Sequence, residues 1–196
     1  MKSGLLPDCM RDQRQPISVL RLGHRRERDK RITSHLGLTA RAFGANEVIL
    51  AGEEDPSALE TWNSVTERFG GEFKCHYEPK PLGWLRRFSQ DAGDGKAGVI
   101  IHLTMYGEHW HHAIEKIDRN RPTVIVVGGT KVPGEVYKLA THNVSVGNQP
   151  HSEVSALGIF LDSFVGPIDD VSHFSGGEIR VLPSASGKHV LNLEEE

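Results

Sequence analysis

Two glycine-bearing turns in this 196-residue chain have the make-up for chemistry done by backbone. Val124-Ile-Val-Val-Gly-Gly-Thr-Lys-Val-Pro runs five β-branched residues, Thr123 to Val127, into Gly128-Gly129 and then a helix opened by Pro133. Asn143-Val-Ser-Val-Gly-Asn-Gln-Pro-His-Ser-Glu repeats the plan, with Gly147-Asn148 as the turn and Pro150 before the next helix. Glycine lets backbone approach a ligand closely, and the first amides of a helix have no internal partner, so such turns suit polar or anionic groups. The plain alternative is that both are ordinary strand-to-helix turns. A second candidate is the run His24-Arg-Arg-Glu-Arg-Asp-Lys-Arg31, which is either a solvated loop or a phosphate-facing entry to a helix. His109, His111 and His112 have spacings i, i+2 and i+3, which do not share one helical face; they read as surface histidines, with no metal site.

These residues need a scaffold. The apolar content of 37% over this length supports one α/β core, and no apolar run approaches the ~20 residues that span a bilayer. With no signal-peptide pattern at the N-terminus, the chain reads as a soluble, cytoplasmic protein with no membrane segment. Cys9 and Cys75 lack metal-ligand spacing and read as free thiols. The net charge of -3 excludes a generally basic nucleic-acid coat, but Lys and Arg outnumber acids between Arg11 and Arg41, which keeps a local basic patch open.

Taken in order, residues 1–16 read as a mobile extension. Ile17–Leu22 is a strand ended by Gly23, and Ile32, Leu36, Thr39 and Phe43 mark the buried face of a first helix closed by Gly44. Glu47–Ala51 is a strand. Asp55-Pro56 caps a helix with Leu59, Trp62, Val65 and Phe69 on one face, which Gly70-Gly71 stops. Phe73, Cys75 and Tyr77 alternate as a strand, and Leu82, Leu85 and Phe88 mark a short amphipathic piece. Ala97–Leu103 is strongly apolar, and Trp110, Ala113, Ile114 and Ile117 form another helical stripe. The alternation predicts a mostly parallel sheet with helices on both faces, whose ligands would sit at the carboxyl ends of the strands. Near the end, Val171–Ser175 and Glu178–Leu182 are expected to pair as a hairpin across Gly176-Gly177, with an irregular tail from Pro183. Gly-x-Gly-x-x-Gly, Gly-x-x-x-x-Gly-Lys-Ser/Thr and Gly-x-Ser-x-Gly are all absent, which removes the usual support for dinucleotide, nucleotide and hydrolase chemistry.

Four fragments carry a resemblance: Leu20-Arg-Leu-Gly-His-Arg-x-Glu-Arg-Asp-Lys-Arg, Leu38-Thr-Ala-Arg-Ala-Phe-Gly-Ala, His102-Leu-Thr-Met-Tyr-Gly and Val146-Gly-Asn-Gln-Pro-His-Ser-Glu-Val. In this order they resemble the archaeal tRNA cytidine 2′-O-methyltransferases of the SPOUT superfamily, from about Ile17 to Leu182. The resemblance implies S-adenosylmethionine as cofactor and the ribose of cytidine 56 in the tRNA T loop as substrate. It also implies a homodimer and a trefoil knot within about residues 100–165 of a domain spanning 17–165, followed by a C-terminal hairpin and tail over 166–196. Three cofactor loops follow from it. They carry Leu103 and Gly107; then Gly128, Gly129, Thr130, Lys131 and Val132; then Val146, Gly147, Asn148, Gln149, Pro150, His151, Ser152 and Glu153. Relatives in the superfamily place an arginine on the first helix in an Arg-Thr-Ala-x-x-x-Gly setting, but here Leu38 stands at that position. The role is therefore expected of Arg25 or Arg31, with Arg41 third. Two other classes remain: a noncatalytic RNA-binding module, and a methyltransferase for another RNA nucleotide or for a small molecule.

Overall fold

The computed structural model describes residues 15–93, 95–129 and 131–193. Cys9, Asp94, Thr130, the acidic end at 194–196 and nearly all of the N-terminal extension lie outside them. Six strands form one sheet: β1 (Ile17–His24), β2 (Glu47–Gly52), β3 (Lys74–Tyr77), β4 (Val99–His109), β5 (Thr123–Gly128) and β6 (His142–Ser145). Their spatial order is β3-β2-β1-β5-β4-β6, and every pairing is parallel. Parallel pairing requires crossovers, so helices must cover both faces and the central strands must be apolar on both sides. Val124 to Val127 satisfy that demand, each at most 1% exposed.

On one face lie α1 (Arg26–Ala42), α2 (Pro56–Phe69) and α6 (Glu153–Val165), whose Leu36, Ala40, Trp62, Leu157 and Phe160 close over Val19, Ile101 and Ile125. On the other, α3 (Pro81–Phe88) and α5 (Gly134–Leu139) cover Leu20, Ile49, Ile100 and Val126 with Leu85 and Val136. Asp55 starts α2 as expected: its carboxylate accepts from the Ser57 amide at 3.1 Å, and Pro56 takes the first turn, where a missing N–H costs nothing.

The structure differs from the sequence pattern at three places. The buried face of α1 is Thr33, Leu36, Gly37, Ala40 and Arg41; Phe43, expected inside, is 37% exposed. The stripe after β4 yields only one α turn, α4 (Trp110–Ala113), and a 3₁₀ turn, Ile114–Lys116, while His109 belongs to the strand. At the C-terminus a hairpin is present, but β7 (Ile179–Leu182) pairs with β8 (His189–Asn192), which recruits the segment expected to be a tail. Val171–Ser175 is occupied elsewhere. Asp170–His173 forms a helical turn, α7, the Phe174 ring stacks under the Arg41 guanidinium at 4.8 Å, and the Ser175 carbonyl accepts from the Gly71 amide at 2.8 Å.

Candidate functional site

A cleft of about 370 Å³ opens at the carboxyl ends of β4, β5 and β6. It falls within the roughly 300–1,000 Å³ of small-molecule sites and lies beside the point where strand order reverses, between β1 and β5.

Its first wall is an excursion from β4. Leu103 and Glu108 both pair with Val144 of β6, so Thr104–Gly107 is looped out of the ladder. Gly107 is required where the loop returns, because a Cβ there would sit 2.5 Å from the Asn143 carbonyl carbon and the Val144 nitrogen. The Asn148 side-chain amide donates to the Met105 carbonyl at 2.8 Å and to that of Gly107 at 3.3 Å, which ties the third loop to the first. Within the third loop the His151 ring bonds the Val146 carbonyl. The second wall is Gly128, Gly129 and Val132 after β5.

Of the residues expected at this site, Leu103, Gly128, Gly129, Val132, Val146, Gly147, Gln149, Pro150, His151, Ser152 and Glu153 line the cleft. Gly107 and Asn148 act from behind the lining as just described; Lys131 is exposed and outside it. Outside the three expected loops, two polar side chains also line the cleft, His102 and Tyr137. His102 Nδ1 bonds the Asn143 Oδ1 at 2.9 Å, and its ring meets Tyr137 edge-on at 4.6 Å. The Tyr137 hydroxyl in turn bonds Thr104 Oγ1 at 3.1 Å. Burial of His102 disfavours its charged form and lowers its pKa, with the Asn143 bond acting weakly the other way.

The three arginines are not brought together. Arg25 caps the start of α1, and its half-exposed guanidinium pairs with Asp29 at 3.2 Å. Burial works against the Asp29 charge, but the bonds and charge of Arg25, with Arg21 behind it, hold its carboxyl below the ordinary carboxylate range. Arg31 is exposed on the outer side of α1. Arg41 is buried, donates to the Gly70 carbonyl and lies over Phe174, holding α1 to the end of α2.

The residue that sequence reasoning passed over is Arg21, only 1% exposed at the end of β1. Its Nη1 lies 3.3 Å from Glu153 Oε1, at the cleft, and its Nη2 3.9 Å from Asp29. A Cβ on Gly129 would come within 3.8 Å of Glu153 Oε1 and 4.0 Å of Arg21 Nη1, so the bare glycine leaves this polar corner open. The signal was present: Ile17, Val19 and Arg21 share one strand face, and an arginine ending a buried stripe needs anionic partners. The histidines of residues 109–112 stack on one another and on Trp110, with His109 and His111 centroids 5.0 Å apart. Among the described residues no group of three or more His, Cys, Asp or Glu comes together as a metal site.

The all-parallel sheet with a cleft walled by three loops defines the class. The fold is that of the SpoU methyltransferase AviRb from Streptomyces viridochromogenes, solved in complex with AdoMet: TM-score 0.58 at 16% identity, over 82% of this chain and 62% of that one. The sequence profile described as tRNA ribose 2′-O-methyltransferase, aTrm56, matches residues 69–191. The chain also aligns with the tRNA (cytidine(56)-2′-O)-methyltransferase of Thermococcus kodakarensis, 46% identical over 92% of this chain and 99% of the relative. The enzyme of the same name from Methanothrix thermoacetophila is 48% identical, over 90% and 97% of the two chains. The chain belongs to the aTrm56 family of tRNA ribose 2′-O-methyltransferases.

Proposed function

We propose that this chain methylates the ribose 2′-hydroxyl of cytidine 56 in tRNA, using S-adenosylmethionine held in the cleft at the ends of β4, β5 and β6. One observation carries the reading: near-full-length identity of 46% to an enzyme of that name, with the cleft in the part of the chain that the family profile matches. The residues present fit the cofactor. Apolar Leu103, Val127, Val132 and Ala156 supply a floor, the three loops supply backbone donors and acceptors, and the Glu153 carboxylate supplies one anionic anchor.

When bound, S-adenosylmethionine supplies a methyl group activated by the adjacent sulfonium charge. The chain's own work is to fix geometry and to stabilise the charge that develops as the 2′-hydroxyl passes its proton to an RNA phosphate oxygen or to water. Glu153 is suited to accept hydrogen bonds from the cofactor's amino group or ribose. Arg25 carries a donor-only guanidinium, so its role is to stabilise oxyanion character rather than to take the proton, while Arg31 on the helix that follows engages phosphate. Arg41, turned into its contact with Gly70, positions α1.

Three finer points belong to the same proposal. The segment 100–165 is knotted, a reading supported by the likeness of the fold to the SpoU methyltransferase AviRb. The enzyme is a homodimer, supported by the apolar Phe43 and Ile159, exposed at 37% and 48%, on the packed pair α1 and α6. Its workplace is the cytoplasm, a reading supported by the tRNA named as substrate of its relatives. Among the described residues, no helix is long and apolar enough to cross a membrane.

Incubation with labelled S-adenosylmethionine and unmodified tRNA, followed by mapping of the modified nucleotide, is expected to place one methyl on the ribose of cytidine 56. Cofactor binding without transfer to RNA would overturn the reading, and transfer to another nucleotide would overturn its specificity.

A further inference from the structure

Beneath Glu153 runs a chain of polar groups that the reaction as described does not use. Arg21 Nε donates to Thr33 Oγ1 at 3.3 Å. Thr33 Oγ1 lies 2.9 Å from His24 Nδ1, and His24 Nε2 lies 3.2 Å from Asp55 Oδ2. The other Asp55 oxygen accepts from the amide and hydroxyl of Ser57, at 3.1 and 2.8 Å. Arg21, His24, Thr33 and Asp55 are each at most 1% exposed, so none is relieved by water. Burying this many polar groups is costly unless every donor meets an acceptor.

Strand alternation alone would not assemble the chain, because Arg21 and His24 should point to opposite faces. A bulge corrects this. Between Arg21 and His24 the first strand advances three residues while β2 advances from Leu50 to Gly52, and Gly23 takes φ +72°. The extra residue returns His24 to the Arg21 side, where both meet Thr33.

The end groups fix the direction of the two outer bonds: the guanidinium donates and the carboxylate accepts. A guanidinium can only donate, so Thr33 Oγ1 accepts from Arg21, which leaves its own proton available to His24 Nδ1. That nitrogen is then bare, and the ring proton sits on Nε2, facing the Asp55 carboxylate. Burial pushes the Asp55 pKa up, but the bonds from Ser57, His24 and the Ala58 amide outweigh it and hold the carboxyl below its ordinary value. This tautomer gives both ring nitrogens a complementary partner. The charged groups facing Arg21 are Asp29 from α1 and Glu153 from α6.

We propose that Asp55, His24 and Thr33 are positioning residues for methyl transfer: a one-directional hydrogen-bond chain that starts at the cap of α2 and locks Arg21 against Glu153 at the cleft. Without the Thr33 hydroxyl, the guanidinium loses its one neutral acceptor among the described residues and is free to tilt toward Asp29, carrying Glu153 with it. The inference rests on the methyltransferase reading above.

Two variants test it. Asp55→Asn keeps the cap oxygen for Ser57 but turns an amide donor toward His24. The ring must then move its proton to Nδ1, so Thr33 accepts on both sides and its own proton loses its partner. Thr33→Val removes the hydroxyl at constant shape, and Thr33→Ser restores it. Single-turnover transfer to tRNA at saturating S-adenosylmethionine is expected to fall at least ~10-fold in Asp55→Asn and Thr33→Val and to return to within about 3-fold in Thr33→Ser, a misplacement effect rather than a binding one. Nitrogen-15 histidine spectra at neutral pH are expected to show His24 protonated at Nε2 in the unaltered enzyme and at Nδ1 in Asp55→Asn, a readout that holds even if one variant folds poorly. Wild-type rates in Asp55→Asn and Thr33→Val, or an Nδ1 proton in the unaltered enzyme, would overturn the proposal. Absence of transfer by the unaltered enzyme would instead sink the reading on which it rests.

Discussion

Two polar networks support the cleft from opposite faces of the sheet, and they are built differently. Toward α1 and α6, Asp55, His24, Thr33, Arg21 and Glu153 form a chain that holds full charges in a nearly dry interior. Toward α5, His102, Asn143, Tyr137 and Thr104 form a neutral set around the first loop, extended by Asn143 Nδ2 donating to the Tyr137 carbonyl at 3.0 Å. The first is held by charge pairing, so it fails when a charge is removed. The second depends on one buried neutral imidazole, so it fails when a proton is added.

Replacing Arg21 with Met should show the largest effect, because it leaves Glu153 and Asp29 facing an apolar chain. Breaking a buried pair costs about 3 kcal/mol or more, and displacing Glu153 should lower transfer about 100-fold; urea denaturation and single-turnover assays read the two losses. Full stability in this variant would mean the charged network is no stronger than the neutral one.

Acid should separate the networks. The folded-state pKa of His102 lies below its ordinary 6.5, so the unfolded chain takes up the proton first. Its contribution is complete above pH 6.5 and is lost as pH falls from there toward the folded value. The lowered carboxylates Asp29 and Asp55, ordinarily near 3.8, contribute fully above that value and are lost only as pH falls through their lower folded ones. Cofactor titrations and melting curves between pH 7.5 and 5 (about one unit either side of the imidazole range) should therefore show a decline that His102→Gln flattens. A decline unchanged by that substitution would move the acid-sensitive group elsewhere.

The smallest effect belongs to Tyr137→Phe, which deletes one neutral bond, to Thr104. A loss of about 1 kcal/mol is expected, read as a modest shift in the denaturation midpoint. A loss as large as that of Arg21→Met would erase the distinction between the two networks.

The sequence by itself determined the layers and the outline of the cleft. Continuous β-branched runs such as Thr123–Val127 can only be covered strands, the glycine and proline punctuation marks where each strand hands over to a helix, and the motif order locates the three loops. These are local signals, carried by propensity and periodicity within one element. The tertiary structure decided which polar side chains meet. His24 joins Arg21 only because a bulge at Gly23 overrides strand alternation, and Arg21 finds Glu153 across 132 positions of sequence. Arg41, on the helix expected to act, is spent on the Gly70 carbonyl and the Phe174 ring. The hairpin pairs β7 with β8, while residues 173–175 are held at the end of α2. In each case a buried polar group or open strand edge had to be satisfied by a distant segment, and only packing could select which one.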